Sequence, residues 1–492
     1  MFNITNANDV MFHSRDPILK ELGPYTYAMV ERKQGIKHLD GGNQVFYRSN
    51  KTWVFDQQWS CKTCLCKDEV AIPNFVFMGL IYLKRTLSMP KPYKFILDIF
   101  MIVMKMQPVK RLTVCEVLLD SYKDPVVEFI HTQFFKFLKH ALHLKTPDFP
   151  DLGFLPKYNK TSDGDFVIMT GKDDIENIGQ IISWNNYSEL PWWNTHETRI
   201  FKGSGDGINQ RPGIGKNDKY EMFQPLTCRK YSLGYSSHEG YTYGIPSVGY
   251  SIDEDSYDGV KNIGYRYENL EKANYFPGWA CGLNHTKEIT ERCTTVSCDH
   301  YENWCDKCCN ANFINETYVL PPGIIPLRCQ PARTTLIPLG LFLSAPHFLS
   351  SPEYVRKSVS GLSPNPILHD PGMFHLNPLT GHTVSASFRI QFNIPLYSNP
   401  DSALWSNLPT TIVPAMWLDL EVQVQDYALN FFYLVVVVSQ RVVFIISIVC
   451  LTLSALPTAL IIFHIIKRKK GSFAKNVGIN CNGAVPKHVN HL

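Results

Sequence analysis

Near its C terminus the chain carries an apolar run, Val442 to Ile466, of 25 residues without Lys, Arg, Asp or Glu. As a helix rising about 1.5 Å per residue it would reach roughly 37 Å, more than the ~30 Å hydrocarbon core of a bilayer. The pattern therefore predicts a transmembrane helix. Arg441 closes the run on one side and Lys467-Arg468-Lys469-Lys470 on the other, and the denser basic cluster marks the cytoplasmic side. Residues 1–430 then form an ectodomain and residues 467–492 a cytoplasmic tail. The apolar stretch Phe431 to Val438 is assigned to a juxtamembrane segment, 431–441, at the membrane face, because joining it to the span would bury Arg441.

Two stretches of the ectodomain alternate with period two. Val384, Ala386, Phe388, Ile390, Phe392 and Ile394 interleave with Ser385, Ser387, Arg389, Gln391 and Asn393. Leu418, Leu420, Val422 and Val424 interleave with Asp419, Glu421, Gln423 and Gln425. Each predicts a strand with one face buried and one wet, and antiparallel sheet follows. Between about Pro73 and Leu144 the pattern turns helical. Asp124-Pro125 reads as an N-cap followed by proline at the first helical position. The predicted stripe is Val127, Ile130, Phe134, Phe137, Leu138 and Ala141, with His131, Lys136, Lys139 and His140 outward. Phe95 to Met106 is almost wholly apolar but too short to cross a membrane. A core helix is its plainer reading, and an apolar surface for lipid or a partner is the alternative.

Charge sharpens that second possibility. From Gly79 to Arg111 the basic residues Lys84, Arg85, Lys91, Lys94, Lys105, Lys110 and Arg111 face only Asp98, which is seven minus one, or +6. Such a cluster attracts anions, although a basic run is commonly a solvated face. The whole chain carries only +4 on 492 residues, which argues against a nucleic-acid partner.

Asn-x-Ser/Thr sequons at Asn3, Asn50, Asn159, Asn186, Asn284 and Asn315 all precede the apolar helix, as expected of an extracytoplasmic glycoprotein. Twelve of fourteen cysteines do so too: Cys61, Cys64, Cys66, Cys115, Cys228, Cys281, Cys293, Cys298, Cys305, Cys308, Cys309 and Cys329. Cys61-x-x-Cys64 and Cys305-x-x-Cys308 have zinc-ligand spacing, but an oxidising compartment favours disulfides. Cys450 and Cys481 are weak palmitoylation candidates. Met1 to Thr5 opens into polar sequence with no apolar run to start translocation, so a first membrane helix is expected to precede Met1.

Catalytic motifs do not emerge. Gly203 through Lys216 resembles a phosphate loop, but Gln210 stands where the leading glycine belongs and Asn217 where a magnesium-holding Ser/Thr belongs. It reads as a flexible loop. His347 has no identifiable nucleophile or carboxylate beside it and reads as structural. No catalytic residue, metal or cofactor is assigned.

A set of short strings, in order, carries the reading further. Phe2-Asn3-Ile4-Thr5-Asn6, Gly23-Pro24-Tyr25-Thr26-Tyr27, Tyr122-Lys123-Asp124-Pro125, Tyr158 to Gly164 and Thr170-Gly171-Lys172-Asp173 come first. Cys228-Arg229, Ser344-Ala345-Pro346-His347-Phe348-Leu349, Gly361-Leu362-Ser363-Pro364-Asn365 with His369, and Asn377 to Gly381 follow. Together they resemble the class B scavenger receptor family across essentially the whole ectodomain. The resemblance implies an α+β fold: a distorted antiparallel β-barrel with a helical-bundle apex at about 73–144, crossed by a lipid-carrying tunnel, plus the C-terminal transmembrane helix. It implies binding of lipids, fatty acids, sterol esters or lipoproteins at the apex, where Lys105 and Lys110 would contact ligand, and uptake without catalysis. A sorting or adhesion receptor for a protein ligand is the alternative. Cys228 and Cys329 resemble family bridge partners. Cys61, Cys64 and Cys66, the cysteine-rich stretch 281–329 and the segment after Gly207 depart from the family pattern. The tail from Gly471 to Leu492 has no acidic residue and no paired Leu/Ile signal, which favours the plasma membrane over the lysosomal membrane.

Overall fold

The computed structural model describes residues 1–478 apart from 88–89, 134–151, 156–157, 260, 277–312, 315–316, 319, 335, 400 and 403. The two alternating runs become neighbours: Thr383–Leu396 pairs antiparallel with Thr411–Gln423, setting Phe388 opposite Leu420 and Ile390 opposite Leu418. Around them lies an eight-stranded sheet in the order Ile324–Cys329, Leu336–Ser344, Thr383–Leu396, Gly372–Leu376, Ile245–Ile252, Arg229–Thr242 and Tyr220–Gln224, with Thr411–Gln423 branching from the third. A four-stranded antiparallel sheet follows the order Tyr27–Leu39, Gln44–Phe55, Thr161–Met169 and Ile181–Trp184. The fold is thus mixed helix and antiparallel sheet with one C-terminal apolar helix, and no strand ladder closes into a ring among the described residues.

Alternation holds only part-way along Thr383–Leu396. Val384, Phe388, Ile390, Phe392 and Ile394 are buried, but so are Gln391 and Asn393. A second layer covers what sequence left wet, and hydrogen bonds compensate the burial. Gln391 Oε1 accepts from His347 N at 2.7 Å, while the Gln391 and Asn393 amides each donate to Ser344 Oγ at 3.1 Å. His347 itself adopts the left-handed conformation, φ 53°. Its Nε2 lies 3.2 Å from a Glu21 carboxylate oxygen, and its ring stacks on His369 with centroids 4.0 Å apart. Trp417 Nε1 donates to the other Glu21 oxygen at 2.6 Å. The expectation that His347 has no carboxylate beside it is corrected: Glu21, 326 residues away in the chain, supplies one.

Three disulfides join Cys61 to Cys64, Cys66 to Cys115 and Cys228 to Cys329. The Cys61-x-x-Cys64 pair is therefore a bridge. Cys281, Cys293, Cys298, Cys305, Cys308 and Cys309 lie outside the described residues. Cys228 sits between the last two strands of the eight-stranded order and Cys329 ends the first, so their bond links the two ends of that sheet.

The glycine-rich loop is tied down. Gln210 N donates to Gly381 O and Gly213 N to Pro378 O, both at 2.9 Å, and Asp206 Oδ1 accepts from Ile208 N at 2.9 Å. Backbone anchors of this kind, which carry no sequence signature, replace the flexible loop expected from composition.

A second unit comprises Tyr243–Ile245 and the chain from Val424 on. Helix Asp426–Tyr433 runs through a π-helical segment, Leu434–Val438, into helix Ser439–Gly478. Among the described residues this is one helix long and apolar enough to cross a membrane, Asp426 to Lys470. The proposed juxtamembrane stretch 431–441 is accordingly helical and continuous with the span, because nothing between Asp426 and Arg441 breaks a helix. Cys450, on this helix, is exposed and free.

Candidate ligand-binding site

Two helices of opposite habit stand side by side in the sequence. Helix Phe75–Thr86 is opened by Asn74, whose side chain accepts from Val76 N and Phe77 N and donates to Gln107 O. This satisfies end groups that would otherwise be orphaned. It buries Val76, Phe77, Met78, Leu80 and Ile81. Helix Lys91–Val103 starts on Pro90 with Pro92 in its first turn, and buries only Asp98 and Met101. Phe95, Ile96, Ile99, Ile102 and Val103 are exposed, from 45% at Ile99 to 70% at Val103. Their spacing, i, i+1, i+4, i+7 and i+8, places them on one face. Both readings of this run apply in part: Met101 and Met106 join the core, with Leu97, Phe100 and Met104 packed against it, while the opposite face is an exposed apolar strip.

The cause is an ion pair. Lys84, 1% exposed, donates to both oxygens of the Asp98 carboxylate at 2.7 and 2.8 Å, and Asp98 also accepts from Asn399 Nδ2 at 3.2 Å. A buried charge needs its partner, and this pair fixes to the core the side of the second helix that carries Asp98 and Met101, where Leu97 and Phe100 also pack.

The seven basic residues are dispersed accordingly. Lys84 is buried and occupied, inaccessible to a ligand. Arg85 donates to the carbonyls of Glu271, Ser398 and Lys272 at 2.7, 3.0 and 3.2 Å. Lys94 pairs with Asp401 at 2.9 Å, a hydrogen bond that holds the Asp401 carboxyl below its ordinary range. Lys110 bonds Asp124 at 2.8 Å and lies 4.8 Å from the Tyr122 ring centroid. Asp124 meanwhile caps helix Pro125–Ile130 through Val126 N, as its sequence predicts. The rest of that predicted stripe, from Phe134 on, lies outside the described residues. Lys91, Lys105 and Arg111 are exposed and form no ion pair among the described residues. Lys91 opens the exposed helix and Lys105 follows its end, so 14 residues and roughly 20 Å of helix rise separate them. The free cations bracket the apolar face instead of forming a patch. Sequence missed the role of Asp98; the available signal was a single acidic residue in the middle of an otherwise apolar run, Phe95–Val103.

At the start of helix Phe75–Thr86 is a crevice lined by Ile72, Phe75, Val117, Tyr122, Phe154 and Ile394, with a volume of about 20 Å³, room for about one water. The sequons differ in setting. Asn186 is exposed in a turn with φ 63°. The Asn159 amide donates to Trp53 O at 2.9 Å and accepts from Trp53 N at 2.8 Å, as a strand residue would. Asn3 accepts from Ala71 N and Asn50 donates to Gln34, while Asn284 and Asn315 lie outside the described residues.

Comparison with known proteins decides the ancestry of this fold. The model of the CD36 family matches residues 1–465. The chain belongs to the CD36 family. It is 28% identical to the uncharacterized protein R07B1.3 of Caenorhabditis elegans, over 96% of this chain and 86% of that one. Lysosome membrane protein 2 of Homo sapiens is 26% identical over 86% of this chain and 73% of its own length. Scavenger receptor class B member 1 of Mus musculus is 23% identical over 90% and 73%. The receptor family expected from the short strings is thereby established, and the relatives named for a function are receptors or membrane proteins.

Proposed function

We propose that this CD36-family chain is a class B scavenger receptor that binds lipid or lipoprotein on the outward face of helix Lys91–Val103 and mediates lipid uptake without covalent chemistry. The observation that carries the reading is that face: five apolar side chains exposed at helical spacing and bracketed by Lys91 and Lys105. Acyl chains would cover the apolar strip, and carboxylate or phosphate groups would meet the ammonium groups at its ends. Among the predicted basic residues, Lys91, Lys105 and Arg111 are the ones free to do this. A barrel is supported by the Cys228–Cys329 bond, which draws the ends of the sheet order together. The tail composition supports a plasma-membrane site with the ectodomain outside.

The test is uptake of labelled fatty acid and cholesteryl ester by cells expressing the full chain. Uptake above mock cells is expected, lost in Ile96→Asp/Ile99→Asp at equal surface expression. Uptake equal to mock cells despite surface display would sink the reading. In a second reading, a sorting or adhesion receptor, the same face seats a protein ligand. A secreted protein captured by the displayed chain, but not by the Asp variant, in cells that take up no lipid would select it.

A further inference from the structure

One of the three disulfides differs from the others in what it closes. Cys66–Cys115 and Cys228–Cys329 join positions 49 and 101 residues apart, whereas Cys61–Cys64 joins positions 3 apart. Stabilisation by a cross-link grows with the loop it closes, so the short bridge contributes least to the fold. It is also redundant, because hydrogen bonds hold the chain on both sides of it. Cys61 N donates to Pro24 O at 3.0 Å and Thr26 N to Ser60 Oγ at 2.9 Å. Asp68 Oδ2 accepts from Leu65 N at 2.8 Å and from the Tyr25 hydroxyl at 2.9 Å. Opening the bridge leaves these contacts in place.

Access separates the bonds as well. Cys228 and Cys329 are wholly buried. Cys66 and Cys115 are half-buried, with the Tyr27 hydroxyl 3.8 and 3.6 Å from their sulfurs. Cys61 is half-exposed in a turn whose Trp59, Lys62, Thr63 and Leu65 are exposed, while Cys64 is buried. The short bridge thus presents one cysteine and hides the other. Exposed disulfides are the labile ones, and the Lys62 ammonium would attract an incoming thiolate.

We propose that Cys61–Cys64 is a thiol–disulfide exchange site, opened by a thiolate that attacks Cys61. The incoming RS⁻ bonds to Cys61 Sγ, the Cys61–Cys64 bond breaks, and its electron pair leaves on Cys64 Sγ, which takes a proton from water. A second thiolate attacks the R sulfur of this mixed disulfide. The electron pair then returns to Cys61 Sγ, which lies 3.7 Å from the Thr63 hydroxyl in the closed bridge and takes its proton from water. Two RSH are oxidised to RSSR, and the bridge is reduced by two electrons to a dithiol. The thiolate is that of a small thiol or of a dithiol protein; for the protein, exposed Trp59 and Leu65 offer apolar footholds beside the site.

The full chain in detergent is incubated with reduced glutathione or, separately, with reduced thioredoxin, sampled over time, alkylated with N-ethylmaleimide and mapped by peptide mass spectrometry. Cys61 and Cys64 should be alkylated on the order of tenfold sooner than Cys66 and Cys115 or Cys228 and Cys329. In samples where only this bridge of the three is open, the thermal midpoint should move by no more than about 3 °C. Reduction by glutathione assigns a small-thiol source, and reduction by thioredoxin alone assigns a dithiol protein. Oxidised glutathione should leave its adduct on Cys61 in Cys64→Ser and none on Cys64 in Cys61→Ser. The unsubstituted chain's time course stands whether or not those variants fold. Reduction by neither thiol, reduction of the three bonds together, loss of the fold on opening, or an adduct on Cys64 would overturn the proposal. The readout is chemical, so this site and the helix face stand or fall separately.

Discussion

Helices Phe75–Thr86 and Lys91–Val103 are both rich in large apolar side chains, yet the first buries most of them and the second leaves a strip of five exposed. Composition cannot distinguish them. What does is Lys84 meeting Asp98: the first helix is already committed to the core, and its single buried cation selects which side of the second helix can follow. An apolar surface is thus produced by a polar contact, and the energetic cost of exposing it is set against the cost of an unpaired buried charge.

The largest break in this comparison should come from Asp98→Ala, which strands the Lys84 ammonium in the interior. A loss of about 3–5 kcal/mol is expected, visible as a drop in unfolding midpoint or surface expression. The double change Lys84→Met/Asp98→Leu should recover most of it, since well-packed apolar substitutes for buried pairs are often neutral. Recovery with lipid uptake retained would show that the pair does not touch ligand and that the helix keeps its orientation without it; recovery of stability with uptake lost would show that the pair sets orientation.

A pair of truncations sharpens the contrast further. Phe77→Ala, in the buried helix and packed edge-on against Trp405 at 5.0 Å, should cost about 3–5 kcal/mol. Phe95→Ala, 66% exposed, should stay within about 0.5 kcal/mol while weakening ligand binding. Equal stability losses in denaturant titrations of the two would mean that the outward face is covered in the folded protein.

The smallest effect concerns acid and should leave both helices alone. Burial, and next the neighbouring His347, lower the His369 pKa from 6.5 to about 4. The unfolded chain then takes up its proton first, so stability is complete above about pH 6.5 and falls as pH drops toward 4. Its Nδ1 accepts from Asn365 N at 3.0 Å, a bond that protonation there removes. His369→Asn should flatten this part of the stability curve in a pH series of thermal melts; an unchanged slope would put the acid response elsewhere.

Much of this was readable from the chain. Period two in 384–394 located the central strand, Asp124-Pro125 located a capped helix start, and an uncharged run located the membrane candidate. These are local patterns, fixed by backbone geometry and nearest neighbours. The burial of Gln391 and Asn393 was not readable, because it depends on a turn at His347 that is 44 residues away from Gln391. Of seven basic residues, sequence could not say which four are held by the protein itself, since Arg85 answers to carbonyls near 271 and 398 and Lys94 to Asp401. Partners that distant leave no periodic trace. Nor did spacing reveal that Cys66 joins Cys115.

The Cys228–Cys329 bond makes the large sheet a strap whose buckle is a pair of sulfur atoms. Hydrogen bonds hold each strand to its neighbour, but this bond holds the first end to the last. In an oxidising compartment the buckle stays shut. Under reduction no covalent bond ties the first strand of that order to the last, so the closeness of the sheet's two ends is tied to the redox state of the compartment that makes the chain.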